Sequence, residues 1–169
     1  MQFEQLRQTM EDNADRIRLF ASKLPPEQAR WKPDPATWSA LEVVHHLYDE
    51  ERLDFRVRLE IVLHHPQDPW PPIDPEGWVV ARCYNEQDPE EILRGFLSER
   101  RASLTWLEGL ESPDWEATYA APFGTIRAGD LFAAWVAHDL LHIRQLVELH
   151  WARLVQAAAP YDVRYAGTW

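Results

Sequence analysis

Seven histidines lie along the chain: His45, His46, His64, His65, His138, His142 and His150. Their spacing matters more than their number. His138 and His142 are four apart within a strongly helical pattern, which sets their side chains about 40° apart around a helix and about 6 Å apart along it. Two imidazoles so placed can ligate one divalent cation. Both fall on the apolar stripe that also carries Leu131, Trp135, Gln145 and Leu149, so both point toward an interior where an unpaired polar group costs about 1–3 kcal/mol. On spacing and face alone, two core histidines bonded to neighbouring helices account for the pattern as well as a metal does. A third ligand would tip the balance. His46 shares a face with Val43, Leu53 and Val57, whereas His45 is turned about 100° toward Leu41 and Arg52, which makes His46 the better inward candidate. His64, His65 and His150 stand at a helix end or beside polar residues and read as surface or loop positions. Glu50, one turn after His46, reads as an acceptor that orients an imidazole, as a base, or as a solvated acid beside Glu51. Gln145 reads either as a hydrogen-bond partner of a ligand or as a cap on the inner stripe.

Four long blocks of helical periodicity must position these residues, and Pro, Asp and Gly collect between them. The first runs over about residues 2–24, with Leu6, Met10, Ile17, Phe20 and Leu24 on one face, and stops at Pro25-Pro26. The second opens at Ser39, where Ser39-Ala40-Leu41-Glu42 has the form of a capping box, and is expected to run to about Leu63. Five prolines between Pro66 and Pro75 then forbid a regular helix and predict an ordered crossing loop or a lid. The third block opens at Asp88-Pro89-Glu90-Glu91, an acidic cap with Pro at the first helical position, and carries Arg100 on its apolar stripe. The fourth covers about residues 128–158. No block alternates as a strand would. Four amphipathic helices, each with one apolar stripe, predict an all-α four-helix bundle.

The chain has 169 residues and a formal charge of −11, with nine Trp, 13 Pro, six Gly and one Cys. That length fits one domain, 1–169. An acidic chain without a basic cluster disfavours nucleic acid, because phosphate binding needs Lys and Arg concentrated on one face. Cys83 has no partner for an internal disulfide, which suits a reducing compartment. The N-terminus lacks a basic segment followed by an apolar run, and no stretch of 18 uncharged apolar residues occurs, so a cytoplasmic protein without a membrane partner is expected.

The run Trp38-Ser39-Ala40-Leu41-Glu42-Val43-Val44-His45-His46-Leu47, followed by His138-Asp139-Leu140-Leu141-His142-Ile143-Arg144-Gln145-Leu146, resembles the two signatures of the DinB/YfiT-like metalloenzyme family. The resemblance covers nearly the whole chain and includes a Trp-x-x-x-Arg-like region around Trp78 and Tyr84, the third-helix Arg100, and a Gly before the last helix at Gly124. In that family the first ligand lies eight residues after the Trp, which selects His46, and the second signature supplies His138 and His142. The resemblance implies an up-down-down-up bundle, often a homodimer, with a divalent metal near one end.

Three neutral histidines would leave the metal an open position, whereas closed structural zinc sites normally use four protein ligands. Imidazole suits zinc, nickel, copper and iron, with zinc or nickel expected here. Characterised relatives include thiol-dependent transferases and isomerases using glutathione, mycothiol or bacillithiol, and others are described only as metal-dependent hydrolases. The expectation is a metal-dependent enzyme acting on a small-molecule substrate, with transfer to a low-molecular-weight thiol cosubstrate ahead of hydrolysis. A metal-binding stress or sensor protein without turnover is the rival. Trp38, Trp70 and Trp78 are candidate pocket walls. The tail, with Tyr161, Tyr165 and Trp169, either packs back on the bundle or bridges a dimer.

Overall fold

The computed structural model describes residues 2–167. Helix α1 (Phe3–Ala21) ends where the Ser22 amide bonds back to the Arg18 carbonyl. The proline-rich link that follows holds one short helix, α2 (Pro26–Ala29). Helix α3 (Ala40–Glu50) starts at the expected capping box: Ser39 Oγ accepts from the Glu42 amide at 3.1 Å, and the Glu42 carboxylate accepts from the Ser39 amide at 2.7 Å. Reciprocal satisfaction of two otherwise orphaned amides fixes this helix start.

The second block is not one uninterrupted α-helix. A π-helical turn over Glu51–Phe55 separates α3 from α4 (Arg56–His64). A π turn inserts one residue into the helical repeat, which shifts the faces on either side of it. The crossing segment then forms α5 (Pro75–Ala81), capped by Asp74. Helix α6 (Pro89–Glu108) begins at Asp88, whose carboxylate accepts from the Glu90 and Glu91 amides at 2.9 Å each. Before the last helix, β1 (Thr118–Ala121) and β2 (Gly124–Arg127) form an antiparallel hairpin that the periodicity did not reveal. Its strands have four residues each, and only the facing pair Tyr119 and Ile126 and the outer Ala121 are half-buried, so no long alternation marks them. Gly124 turns the hairpin at φ 130°, a conformation that side-chain-bearing residues rarely adopt. Helix α7 (Ala128–Ala158) follows directly.

Side-chain contacts give the helix directions. Phe3 meets Phe132, and His150 reaches the Phe20 carbonyl, so α1 and α7 run parallel. His46 meets His138 while Phe55 stacks on Trp135, so α3 and α4 run against α7. Arg56 bonds to Glu99 and Trp106 bonds to Glu60, so α6 runs with α4. The result is the up-down-down-up arrangement. One apolar cluster gathers Ile17, Val43, Leu47, Phe96 and Leu146, and a second gathers Met10, Phe55, Leu59, Phe132 and Trp135.

Arg100 carries charge into this interior. It is 1% exposed and makes two bonds to Glu51 at 2.9 Å and two to Asp139 at 2.8 Å. It also donates to the Met10 carbonyl at 2.9 Å, so one guanidinium ties together α1, the π turn, α6 and α7. Among the described residues no helix is long and apolar enough to cross a membrane. Tyr161 and Tyr165 in the tail are exposed, and Trp169 lies outside the described residues.

Candidate metal centre

His46 projects from α3, and His138 and His142 project from one face of α7. The Nε2 atom of His138 lies 3.4 Å from Nε2 of His46 and 3.1 Å from Nε2 of His142. One ligating nitrogen from each ring lies within 4.8 Å of the other two, a span that one ion can bridge. His46 is buried, and the other two rings are half-buried. Gln145 does more than cap the stripe: its Oε1 is 2.9 Å from His142 Nδ1. An acceptor there keeps the proton on Nδ1 and leaves Nε2 with its lone pair directed at the other two rings.

Burial holds all three imidazoles below the ordinary histidine pKa, His46 down to about 2 and His138 down to about 3. The neighbouring imidazoles push His46 further in the same direction, and His142 and Arg100 do so for His138. The cluster is therefore neutral at pH 7, the form in which imidazole ligates a metal.

The acids beside it bear on whether a cation fits. Asp49, Glu50, Glu51 and Asp54 are all buried, an unusual concentration for one helical segment. Asp49 pairs with Arg52 and Arg82 and accepts from the Tyr84 hydroxyl at 2.7 Å. Glu51 pairs with Arg100, and Asp54 with Arg58 at 2.7 Å. Glu50 has no guanidinium of its own. Its Oε1 faces Nδ1 of His46 at 3.9 Å, and neither atom has a hydrogen-bond partner among the described residues. Burial, reinforced by the Asp54 carboxylate, pushes the Glu50 carboxyl up to about 8. A divalent cation on the Nε2 side of His46 would supply the positive charge this corner lacks. The residues present thus fit a metal. Glu50 is no solvated acid, and it approaches His46 from the nitrogen opposite the cluster, which suits it to orient the ring rather than to act as a base at the open side.

These shifts carry a pH signature for chelator-treated protein. A histidine held low when folded loses its stabilising share as pH falls from its ordinary value of 6.5 toward the folded value. Glu50, held high, loses its share as pH rises from its ordinary 4.5 toward about 8. Where the windows overlap, four depressed histidines, His45 included, outweigh the raised carboxyls of Glu50 and Asp54, and above pH 6.5 only the carboxyls contribute. Stability from these groups is expected to peak near pH ~6.5, and Glu50→Gln is expected to flatten the alkaline decline. A wild-type urea midpoint that climbs between neutrality and mildly alkaline pH would contradict this.

The remaining sequence candidates separate cleanly. His45 stacks on Tyr84, with ring centroids 3.8 Å apart, and stays outside the cluster. His150 Nε2 lies 2.9 Å from the Phe20 carbonyl at the end of α1, a structural bond in place of the expected surface role. His64 and His65 lie near Glu60 at the end of α4. Of the three tryptophans, Trp38 packs beside the site, parallel to His142 with centroids 6.4 Å apart. Trp70 instead stacks on Tyr119 of the hairpin at 4.6 Å, and Trp78 lies under the Arg82 guanidinium at 4.0 Å. The sequence reading missed Asp49, Asp54 and Asp139. Of these, Asp139 had a visible signal, since it follows Trp135 and Val136 at core spacing on α7.

The family model for the DinB superfamily matches residues 9–146. Among solved structures, YfiT from Bacillus subtilis, described as a probable metal-dependent hydrolase with an unusual four-helix bundle topology, matches with a TM-score of 0.77. The match has 19% sequence identity and covers 88% of this chain and 85% of that one, a likeness of fold. No curated protein matches the chain.

Proposed function

The chain belongs to the DinB superfamily, and on that premise we propose that it is a metal-dependent enzyme acting on small molecules, with thiol transfer as its reaction. His46, His138 and His142 would hold the ion, zinc or nickel being the expected metals. The observation that carries this reading is the convergence of three neutral imidazoles on one point, beside a buried carboxylate with no cation of its own. Three protein ligands leave room for a substrate, whereas closed structural zinc sites use four.

A divalent cation in such a site supplies Lewis acidity that favours the anionic form of a thiol or a water. Gln145 fixes the His142 tautomer and Glu50 stands behind His46, so both serve the ligands and neither stands out as a base for the nucleophile. That arrangement favours a thiol, whose pKa of about 8.5 lies far closer to neutrality than the ~15.7 of water. Hydrolysis is the second reading, favoured by the description given to YfiT.

Protein purified without an affinity tag is expected to carry about one metal per chain and to turn over an electrophile only when a low-molecular-weight thiol is present. Lack of metal, with no thermal shift on adding zinc or nickel, would overturn the reading. Turnover without thiol would identify a hydrolase, and metal binding without turnover across a panel of thiols and electrophiles would identify a non-catalytic metal protein. Gln145→Leu is expected to weaken metal binding about 10- to 100-fold, the usual effect of removing a partner that orients a ligand. Competition with a chromogenic chelator measures it, and unchanged affinity would remove Gln145 from the site.

A further inference from the structure

The cleft that opens on His142 has a volume of about 600 Å³ and is lined by Ala36, Thr37, Trp38, Glu76, His142 and Gln145. A second cleft of about 440 Å³ shares Ala36, Trp38 and Glu76 with it and continues past Lys32, Glu42, Val79 and Glu86. The two form one groove that leads away from the histidines, and Glu76 borders both parts. Its charges are lopsided. Lys32, the one cation among the lining residues, is paired with the buried Glu42 at 2.9 Å. Glu76 and Glu86 are exposed and appear in no ion pair among the described residues. The groove therefore keeps two uncompensated carboxylates on a chain whose formal charge is −11. Trp38 adds an aromatic surface at the junction. Carboxylates beside an indole attract an ammonium group and repel an anion.

We propose that the molecule entering this groove carries a cationic ammonium group, and that Glu76 selects it. The ammonium lies along the Trp38–Glu76 stretch and the reactive end reaches the histidines. This second half rests on the metal-centre reading, while the ammonium subsite stands on the groove alone. Net-anionic thiols enter against the field, so the low-molecular-weight thiols with several carboxylates are the poorer cosubstrates.

Two measurements test the proposal separately from the metal reading. In chelator-treated protein, choline, which has no thiol, is titrated by amide NMR. Shifts at Trp38, Glu76 and Gly77 that disappear in Glu76→Gln are expected, and their absence from the wild type would overturn the ammonium subsite. In cobalt-loaded protein, thiocholine and 3-mercaptopropionate are titrated through the thiolate-to-cobalt absorption band. Quaternary nitrogen cannot ligate the metal, and intrinsic thiol acidity cancels when wild type is compared with variant. The preference for thiocholine is expected to be about fivefold greater in wild type than in Glu76→Gln at low salt and to shrink as salt rises. Equal preference in the two proteins would overturn the selecting role of Glu76. Failure of both thiols to give the band, with choline still bound, would instead count against the metal reading alone.

Discussion

Arg100→Met is expected to cost about 3–5 kcal/mol of folding stability, the range for breaking a buried ion pair and leaving the opposite charge uncompensated. The effect should sit at or above the top of that range, because two carboxylates, Glu51 and Asp139, lose their partner together and both are about 1% exposed or less. Against a total of about 5–15 kcal/mol for an ordinary domain, a loss of about 5 kcal/mol removes a third or more of the stability. A urea midpoint within experimental error of wild type would contradict the clamp. Replacing Glu51 and Asp139 by apolar residues in the same variant should recover much of the loss, since a well-packed apolar substitute for a buried ion cluster is often neutral. Full recovery is not expected, because the indole of Trp135 donates to Glu51 at 3.1 Å and would lose its acceptor.

The second large effect concerns metal. His138 is central to the cluster, with its Nε2 close to both other ligating nitrogens. His138→Ala is expected to lower metal affinity by more than about 100-fold, beyond the 10- to 100-fold typical of an outer partner, because a ligand itself is lost. His45→Ala, which removes the adjacent ring stacked on Tyr84, should leave affinity nearly unchanged. Chelator competition on both variants distinguishes a three-histidine site from a general response to losing a buried imidazole. Full metal occupancy in His138→Ala would mean that the ligands are other residues.

The four helices and their limits were readable because each carries its own instruction. Ser39 and Glu42 start one helix, Asp88 and Pro89 start another, and the apolar stripe of α7 persists over 31 residues. The pairing of His138 with His142 follows from helical geometry, whereas the choice of His46 over His45 depended on face and on family resemblance. What escaped the sequence was whatever depends on contacts between elements. The π turn leaves no local signature, because ERLDF continues a plausible α-helix. Nothing local marks Glu51 as a clamp residue, because its guanidinium is 49 residues away in sequence. Glu50 became informative only once every neighbouring buried acid had found a cation and it had not.

The Arg100 clamp also limits how such a sequence can drift. Glu51 lies five residues after His46 and Asp139 directly follows His138, so each ligand is tied to a clamp residue at a fixed offset. Inserting one residue between ligand and clamp, or deleting one between His46 and Glu51, rotates one against the other by about 100° and forfeits the metal site or the ion cluster. The crossing segment that carries Glu76 has no such tether to Arg100. Lineages are therefore expected to keep the two histidine motifs free of length changes while the crossing segment lengthens, shortens and changes charge, so that one inherited centre can be refitted to new substrates.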